Sequence, residues 1–247
     1  METPPPAGLA WCSPVCAWLC SARFPHLSQA RDFSRISVSG CATLWHMARL
    51  QRDFFARDTR QVARDLLGRL LVRDDGGQRL AGRIVEVEAY TGWGDMASHG
   101  HRGQTLRNAV MFGPVGVSYV YFIYGMYWLL NVVAKPPGVD YPAAVLLRAL
   151  EPVEGLDRMA ERRPGRLRTE WASGPGRLTR ALGIDGSLNG LDLTAEDSPL
   201  YFEPGSPVPD EAVRTGPRVG INVPEPWRSK PWRFWVDGSP HISRAAR

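Results

Sequence analysis

The stretch RIVEVEAY, residues 83–90, decides how the rest of this chain is organised. Its alternating pattern predicts a β-strand, because successive side chains of a strand point to opposite faces. One face would carry Arg83, Val85, Val87 and Ala89. The other face would carry Ile84, Glu86, Glu88 and Tyr90. Since two carboxylates and a phenol on one face do not suit a plain apolar core, we expect that face to line a functional site.

A second unusual stretch, VSYVYFIYGMYW at residues 117–128, holds four tyrosines, one phenylalanine and one tryptophan. Aromatic residues on both faces of a strand are typical of a buried strand. Each buried tyrosine, however, needs a partner for its hydroxyl, and four are many to satisfy. A pocket that sandwiches a flat ring fits better, above all a cationic ring. The turn Tyr124-Gly125-Met126 would then form an exposed tip suited to insertion between stacked bases.

The flanking sequence predicts one α+β domain over residues 50–247. A helix is expected from Asp58 or Thr59 to Leu67, and a hairpin at Asp75-Gly76-Gly77. Residues 93–116 are rich in glycine and predict a loop with a short helix. Strands are expected at 117–124, 128–133, 143–150, 191–193, 201–202, 218–221 and 233–236, and helices at 154–163 and 174–182. We predict a mixed, mainly antiparallel curved sheet with flanking helices and a protruding hairpin.

The composition is that of a water-soluble globular protein with a basic surface. A chain of 247 residues with 44% hydrophobic and 22% charged residues can build one full domain. No apolar run reaches the ~20 residues of a membrane-spanning helix. The net charge of +5 favours a polyanionic partner. Nearly all basic residues are arginines, which bind phosphate and stack on planar bases, although GC-rich coding would have the same effect.

The first 46 residues differ from the rest and are predicted to be a disordered or misannotated extension, with translation starting at Met47. A transit peptide is the alternative, since arginines outnumber acidic residues there. All four cysteines, at positions 12, 16, 20 and 41, precede the body. The body therefore has no disulfides and suits a reducing cytosol. The cysteine spacing does not match a zinc site, and His99, His101 and Asp95 are expected to form hydrogen bonds rather than a metal site.

The spacing of Glu86 and Glu88 permits hydrolysis at an anomeric carbon. Residues two apart on a strand lie ~6.6 Å apart, close to the ~6.5–9.5 Å between the carboxyl groups of inverting glycoside hydrolases. The alternative is an edge strand whose glutamates face water or pair with arginine. A carbohydrate hydrolase that uses both carboxylates is therefore one hypothesis from the residues alone.

Several ordered blocks make the chain resemble the alkyladenine (3-methyladenine) DNA glycosylase family of base-excision repair. The blocks are RIVEVEAY, the run from Asp95 to His99, QTLRN at 104–108, MFGP at 111–114, YVYFIYGMY, VLLRALEP, SGPGRLTRALGI at 173–184 and the C-terminal RFWVDGSP. They follow the family's order and cover about residues 50–247. Leu106, where a proline is common, and His101 depart from the family pattern, which leaves the substrate range open.

The resemblance implies a role for individual residues. Glu88 would be the catalytic carboxylate that holds and deprotonates the water attacking C1′, and Arg148 would help to position that water and the sugar-phosphate. The side chains expected to stack on a flipped base are Tyr90, His99 and Tyr121. Tyr124 would be inserted into the minor groove, and Asn131 would face position 2 of the purine and disfavour guanine. Glu86 receives no catalytic role.

The implied activity is excision of alkylated or deaminated purines from double-stranded DNA, leaving an abasic site without cutting the strand. No cofactor or metal is expected, and the protein is expected to be a cytoplasmic, nucleoid-associated monomer with no membrane attachment. The alternative from another class is a catalytically silent protein that recognises damage through the minor groove. Retention of Glu88 argues against that alternative.

Overall fold

A computed structural model describes residues 49–243. The predicted extension over residues 1–46 and its cysteines lie outside the described residues. Within residues 49–243, no helix is long and apolar enough to cross a membrane.

A single curled sheet of eight strands organises the described chain. The strands are β1 (Leu70–Asp75), β2 (Gln78–Tyr90), β3 (Ser118–Ile123), β4 (Tyr127–Val133), β5 (Ala144–Glu154), β6 (Leu200–Glu203), β7 (Val213–Gly216) and β8 (Arg233–Val236). The order along the sheet is β3-β4-β5-β2-β1-β6, with β8 pairing both β2 and β7. The pairings of these strands are antiparallel. The predicted α+β class with a curved, mainly antiparallel sheet is confirmed.

Short helices flank the sheet. The helices are α1 (Arg52–Phe55), α2 (Thr59–Leu66), α3 (Leu156–Arg162), α4 (Arg168–Trp171) and α5 (Pro175–Leu182), with 3-10 turns at Ala109–Phe112, Gly186–Leu188 and Asp210–Ala212. Asp58 caps α2, because its carboxylate accepts the N–H groups of Arg60 and Gln61. Helix α5 ends at Leu182 and is followed by Gly183, whose φ of 65° is left-handed.

Helices α2 and α5 cover one face of the sheet and form the main core with it. Their apolar residues are Val62, Ala63, Leu66, Leu178, Ala181 and Leu182. They belong to the same buried cluster as Val87 and Ala89 of β2 and Leu147 of β5. The opposite face of these strands is left for polar and aromatic side chains.

Two bulges between β2 and β5 correct the predicted alternation of β2. Pairing shifts between Ile84 and Glu86, and again between Glu86 and Val87. As a result Ile84 lies in the main core with Val87 rather than on the face of Glu86, contrary to the prediction. The second shift leaves Arg148 of β5 without a directly paired residue on β2. Bulges redirect side chains in this way, and here they aim Arg148 at the glutamates.

Two predicted strands are wrong, and one strand was missed. Residues 191–193 form only an isolated bridge between Val117 and Asp192. Residues 218–221 are turn and coil, and the Arg218 side chain is buried instead. Strand β7 was not predicted, because its sequence VRTG is short, polar and half exposed.

Candidate active site

A cavity of about 550 Å³ opens on the face of the sheet opposite the core helices. A volume of this order suits a small organic ligand. Its walls combine aromatic, polar and apolar side chains from the sheet, the loop after β2 and the segment after β7. The lining residues include Tyr90, Ala97, His99, Met111, Tyr119, Tyr121, Leu129, Asn131, Leu146, Arg148 and Val219.

The residues that form the floor of the cavity lie in one row across the sheet, as the strand register shows. Tyr119 pairs with Asn131, Asn131 pairs with Leu146, and Leu146 pairs with Glu88. Directly paired residues of an antiparallel sheet project to the same side. Four neighbouring strands therefore deliver an aromatic ring, an amide, an apolar side chain and a carboxylate to one surface. The Asn131 amide is fixed there, since its Nδ2 donates to the Tyr119 carbonyl oxygen at 3.0 Å.

Two tyrosines and a histidine form one aromatic wall. The Tyr119 and Tyr121 rings are stacked, with centroids 5.2 Å apart. The His99 ring meets Tyr121 edge-on at 4.5 Å, and its Nδ1 lies 2.9 Å from the Tyr119 hydroxyl. Burial raises the pKa of Tyr119 to about 12. Partial burial, and then the positive charge of Arg107, lower the pKa of His99. The wall is therefore uncharged at neutral pH.

Tyr90 forms a second wall and rests on a buried ion pair. The Arg218 guanidinium lies 4.7 Å from the Tyr90 ring centroid. Arg218 also donates to both oxygens of Asp95 at 2.6 and 2.8 Å, and neither side chain of this pair is exposed. Asp95 therefore organises the loop and supports Tyr90. Its carboxylate is occupied by Arg218 and by backbone N–H groups of Thr91 and Ala97.

The Glu88 carboxylate lies directly behind the cavity surface. Its Oε2 accepts the Tyr90 hydroxyl at 2.9 Å, and its Oε1 accepts the Val219 N–H at 2.6 Å. Arg148 Nη1 lies 3.2 Å from Oε1. Burial, and then the negative charge of Glu88, raise the pKa of Tyr90 well above its ordinary value, so Tyr90 remains a donor. Glu88 itself has no exposed surface, although all three of its partners line the cavity.

Arg148 links Glu88 to Glu86. Its Nε lies 3.0 Å from Glu86 Oε1, while its Nη1 faces Glu88. Burial lowers the pKa of Arg148, but the two carboxylates outweigh that effect and hold the pKa above its ordinary value. Glu86 is fully buried, and of its partners Arg148, Arg233 and Ser243 only Arg148 lines the cavity. This placement disfavours the hypothesis that Glu86 and Glu88 act as a glycosidase pair on one substrate.

The β3–β4 hairpin carries exposed apolar side chains beside the cavity. Tyr124 is 77% exposed and Met126 is 63% exposed, both in the turn between Ile123 and Tyr127. Within residues 49–243, Tyr124 is the one non-glycine residue with positive φ, at 55°. This conformation is costly for a tyrosine and is usually retained for a functional reason. Tyr124 also lines the cavity rim.

Comparison with known proteins agrees with this arrangement. The family model described as methylpurine-DNA glycosylase (MPG) matches residues 53–240, which is more than half of the chain. The chain belongs to this methylpurine-DNA glycosylase family. Its similarity extends to a protein of Myxococcus xanthus (strain DK1622), 49% identical over 195 residues, covering 79% of this chain and 93% of the relative.

Two further relatives show the same extent of similarity. A protein of Anaeromyxobacter dehalogenans (strain 2CP-C) is 49% identical, covering 80% of this chain and 88% of its own. A protein of Methanocella arvoryzae is 48% identical, covering 80% of this chain and 96% of its own. All three carry the provisional name 3-methyladenine DNA glycosylase. The family resemblance read from the sequence is thus confirmed.

The structure brings together the residues that the glycosylase family pattern indicates. Around one cavity lie Tyr90, His99, Tyr121, Tyr124, Asn131 and Arg148, with Glu88 behind its wall. Their individual roles remain predictions.

Sequence reasoning missed the partners that hold these residues in place. Val219 and Arg218 come from a segment predicted as strand, and Arg233 and Ser243 come from the C-terminal region. They contact Glu88, Asp95 and Glu86 across at least 123 residues of sequence. No local sequence pattern identifies such partners. Two buried glutamates do imply that hydrogen-bond donors for their carboxylates lie elsewhere in the chain.

Proposed function

We propose that this member of the methylpurine-DNA glycosylase family flips damaged purines out of duplex DNA and hydrolyses their N-glycosidic bond. The observation that carries the proposal is the position of Glu88 directly behind an aromatic-walled cavity. An aromatic cavity binds a flat base, and a carboxylate at its wall activates a water. Extruding a base costs a few kcal/mol, and stacking on aromatic rings returns about 1–3 kcal/mol.

Access of water to Glu88 requires a small rearrangement. The carboxylate is covered by the Tyr90 hydroxyl and Arg148, and without DNA it has no exposed surface. Oε2 accepts one hydrogen bond here, from Tyr90, and a carboxylate oxygen can accept two. We propose that binding of the flipped nucleotide shifts Tyr90 and admits one water to Oε2. Catalytic hydrogen bonds commonly reach their working geometry only in the substrate complex.

Uncharged aromatic walls support selection of alkylated purines. Alkylation at a ring nitrogen makes the purine cationic, which weakens its glycosidic bond and attracts it to electron-rich ring faces. Burial raises the pKa of Tyr121, so that its ring stays neutral, and His99 is neutral because its pKa is lowered. The Asn131 amide in the floor would face position 2 of the purine and disfavour guanine.

The charge of His99 gives this selectivity a pH dependence. Its pKa lies below the ordinary 6.5, so the ring gains a proton only as the pH falls below that value. We expect excision of a cationic purine to weaken below pH 6.5 relative to excision of a neutral hypoxanthine. His99→Gln, which cannot titrate, should make the ratio of the two rates constant between pH 5 and 8 (about the range in which histidine titrates). An unchanged pH dependence in this variant would contradict the role given to His99.

A second, arginine-lined cavity adjoins the same hairpin and supports binding of the DNA backbone. It measures about 470 Å³ and shares Ile123, Tyr124, Leu129 and Pro175 with the first cavity. Its arginines are Arg163, Arg166, Arg177 and Arg180. Burial, and then repulsion from the other three, lower the pKa of Arg163. Positive charges that repel one another are relieved by a polyanion, and arginine is well suited to phosphate.

Removing one of these charges should weaken binding to any duplex. Arg180→Gln should lower affinity equally for damaged and undamaged DNA, and reduce the slope of log K against log salt by about 1. Arg60→Gln is the matched control, because Arg60 is an exposed arginine of α2 that pairs with Asp58 away from both cavities. Fluorescence anisotropy at several salt concentrations measures both effects. Equal losses in the two variants would reject the arginine-lined cavity as a phosphate site.

The lysines favour a glycosylase that leaves the strand uncut. Strand cleavage through a Schiff base requires an amine beside C1′. The chain has two lysines, Lys135 and Lys230, and neither lines the cavity. Lys135 Nζ donates to the Phe112 carbonyl oxygen, and Lys230 packs on Trp227 and Trp232. We therefore propose that the product is an abasic site.

Base release from a defined duplex tests the proposed function. Purified protein is incubated with DNA that contains one alkylated purine, and free base and strand breaks are measured separately. Free base without strand breaks is the expected result. Binding of the damaged duplex without any release would instead favour the alternative of a silent, damage-recognising minor-groove protein.

A further inference from the structure

The Glu86 carboxylate accepts four hydrogen bonds next to the cavity, yet it has no part in the proposed chemistry. Its Oε1 lies 3.0 Å from Arg148 Nε and 2.7 Å from Arg233 Nε. The Ser243 hydroxyl donates to Oε1 at 2.8 Å, and the Ser243 N–H donates to Oε2 at 2.5 Å. A fully buried carboxylate that accepts hydrogen bonds from several donors is held rigidly in place.

Ser243 also binds Arg148 directly. Arg148 Nη2 donates to the Ser243 Oγ at 3.1 Å, while that hydroxyl donates its own proton to Glu86. Two atoms of the Arg148 guanidinium, Nε and Nη2, are therefore fixed by Glu86 and Ser243. Because the guanidinium is rigid and planar, fixing those atoms also fixes Nη1. Nη1 is the atom that lies 3.2 Å from Glu88.

We propose that Glu86, Arg233 and Ser243 form a positioning clamp that sets the guanidinium of Arg148 against Glu88, so that Ser243, four residues before the end of the sequence, supports the active site. The clamp consists of Glu86, Arg233 and Ser243, and it acts through Arg148 without touching the substrate. Arg233 balances the charge, since two arginines then face two glutamates, Glu86 and Glu88. The inference rests on the proposed glycosylase function for its kinetic consequence, but its geometry is independent of that function.

The segment after β8 places Ser243 next to Glu86. Strand β8 pairs with β2 from Glu86 to Glu88, so the chain leaves the sheet beside the clamp. The turn after β8 brings His241 and Ser243 back into buried positions. Ser243 contacts Glu86 across 157 residues of sequence, which only the completed sheet makes possible.

Single-turnover kinetics separate a positioning role from a merely structural one. Ser243→Ala removes the hydroxyl and keeps the backbone N–H, so the excision rate constant should fall about 10- to 100-fold while the Kd for damaged duplex stays within about twofold. Ser243→Thr should restore the rate, because it restores the hydroxyl. Glu86→Gln should lower the rate at least as far. Glu203→Gln is the matched control, since Glu203 is 6% exposed and pairs with Arg79 away from the cavity.

An NMR measurement tests, independently of enzyme activity, whether the clamp holds Arg148. The Nε–H resonance of Arg148, assigned by its absence from Arg148→Lys protein, should exchange slowly with water and shift in Ser243→Ala but not in Glu203→Gln. An unchanged resonance, or a rate loss in Ser243→Ala no greater than in Glu203→Gln, would overturn the proposal. If the unaltered protein releases no base at all, the proposed function fails, and the resonance alone then supports or overturns the clamp.

Discussion

Replacing Glu88 with glutamine should greatly slow base release from alkylated duplex DNA while leaving binding of that DNA intact. The amide keeps the size of the carboxylate and an oxygen that can accept the Val219 N–H, which lies 2.6 Å from Oε1. It cannot take a proton from water. Since a positioned general base contributes about 10²–10⁴ in rate, we expect the single-turnover rate constant to fall by that factor.

The measurement combines excision under single-turnover conditions with anisotropy on the same damaged duplex. Glu203→Gln, a glutamine in place of another buried carboxylate, should release base at the normal rate. Loss of binding in parallel with loss of release would indicate a damaged fold rather than lost chemistry. A Glu88→Gln protein that still excises at the normal rate would refute the role of this carboxylate. A loss in Glu86→Gln as large as in Glu88→Gln, with no effect of Ser243→Ala, would revive the two-carboxylate hydrolase hypothesis.

Replacing Tyr124 with serine should lower affinity for damaged duplex far more than for single-stranded DNA. Tyr124 is 77% exposed at the hairpin tip and adopts a left-handed φ of 55° there. If the ring fills the gap left by a flipped base, the loss is that of one stacking interaction. Such stacking contributes about 1–3 kcal/mol, or roughly 5- to 150-fold in Kd. A single strand has no gap to fill, so its affinity should change little.

Two companion variants distinguish insertion from general damage to the hairpin. Met126→Ser removes a neighbouring exposed side chain, 63% exposed, and should have the smaller effect. Tyr124→Gly removes the strain of a left-handed tyrosine, which costs about 1–2 kcal/mol. The greater backbone entropy of glycine in the unfolded chain offsets part of this gain in stability. Its melting temperature should therefore be maintained while its affinity for damaged duplex falls. Equal losses on duplex and single strand would reject Tyr124 as the inserted side chain.

Much of the fold followed from the sequence because local periodicity and turn residues are strong in this chain. The β1–β2 hairpin forms at Gly76-Gly77, where Asp75 pairs with Gln78, as the turn residues predict. Helix α5 starts at Pro175 and ends before Gly183 for the reasons that apply to isolated helices. The strand predicted at residues 218–221 is wrong. Its residues instead belong to a turn that packs against Tyr90 and Glu88.

Ile84 shows the limit of counting alternate residues. The period-two alternation of a strand places Ile84 on the same face as Glu86, but a bulge moves it into the core with Val87. A bulge is set by the pairing of two strands and leaves no mark in the sequence of either one. The same bulged region sends Arg148 toward the glutamates, so an error in the predicted fold lies next to the centre of the proposed site.

The sequence by itself determined the family, through its ordered blocks of residues, and the acidic and aromatic character of one sheet face. The character of that face depends on residue types and on period-two alternation, which are local. The tertiary structure alone decided which groups hold Glu88 and Glu86, because Val219 and Ser243 lie 131 and 157 residues away from them along the chain. Hydrogen bonds over such separations exist only once the sheet has closed, so no segment of sequence encodes them separately.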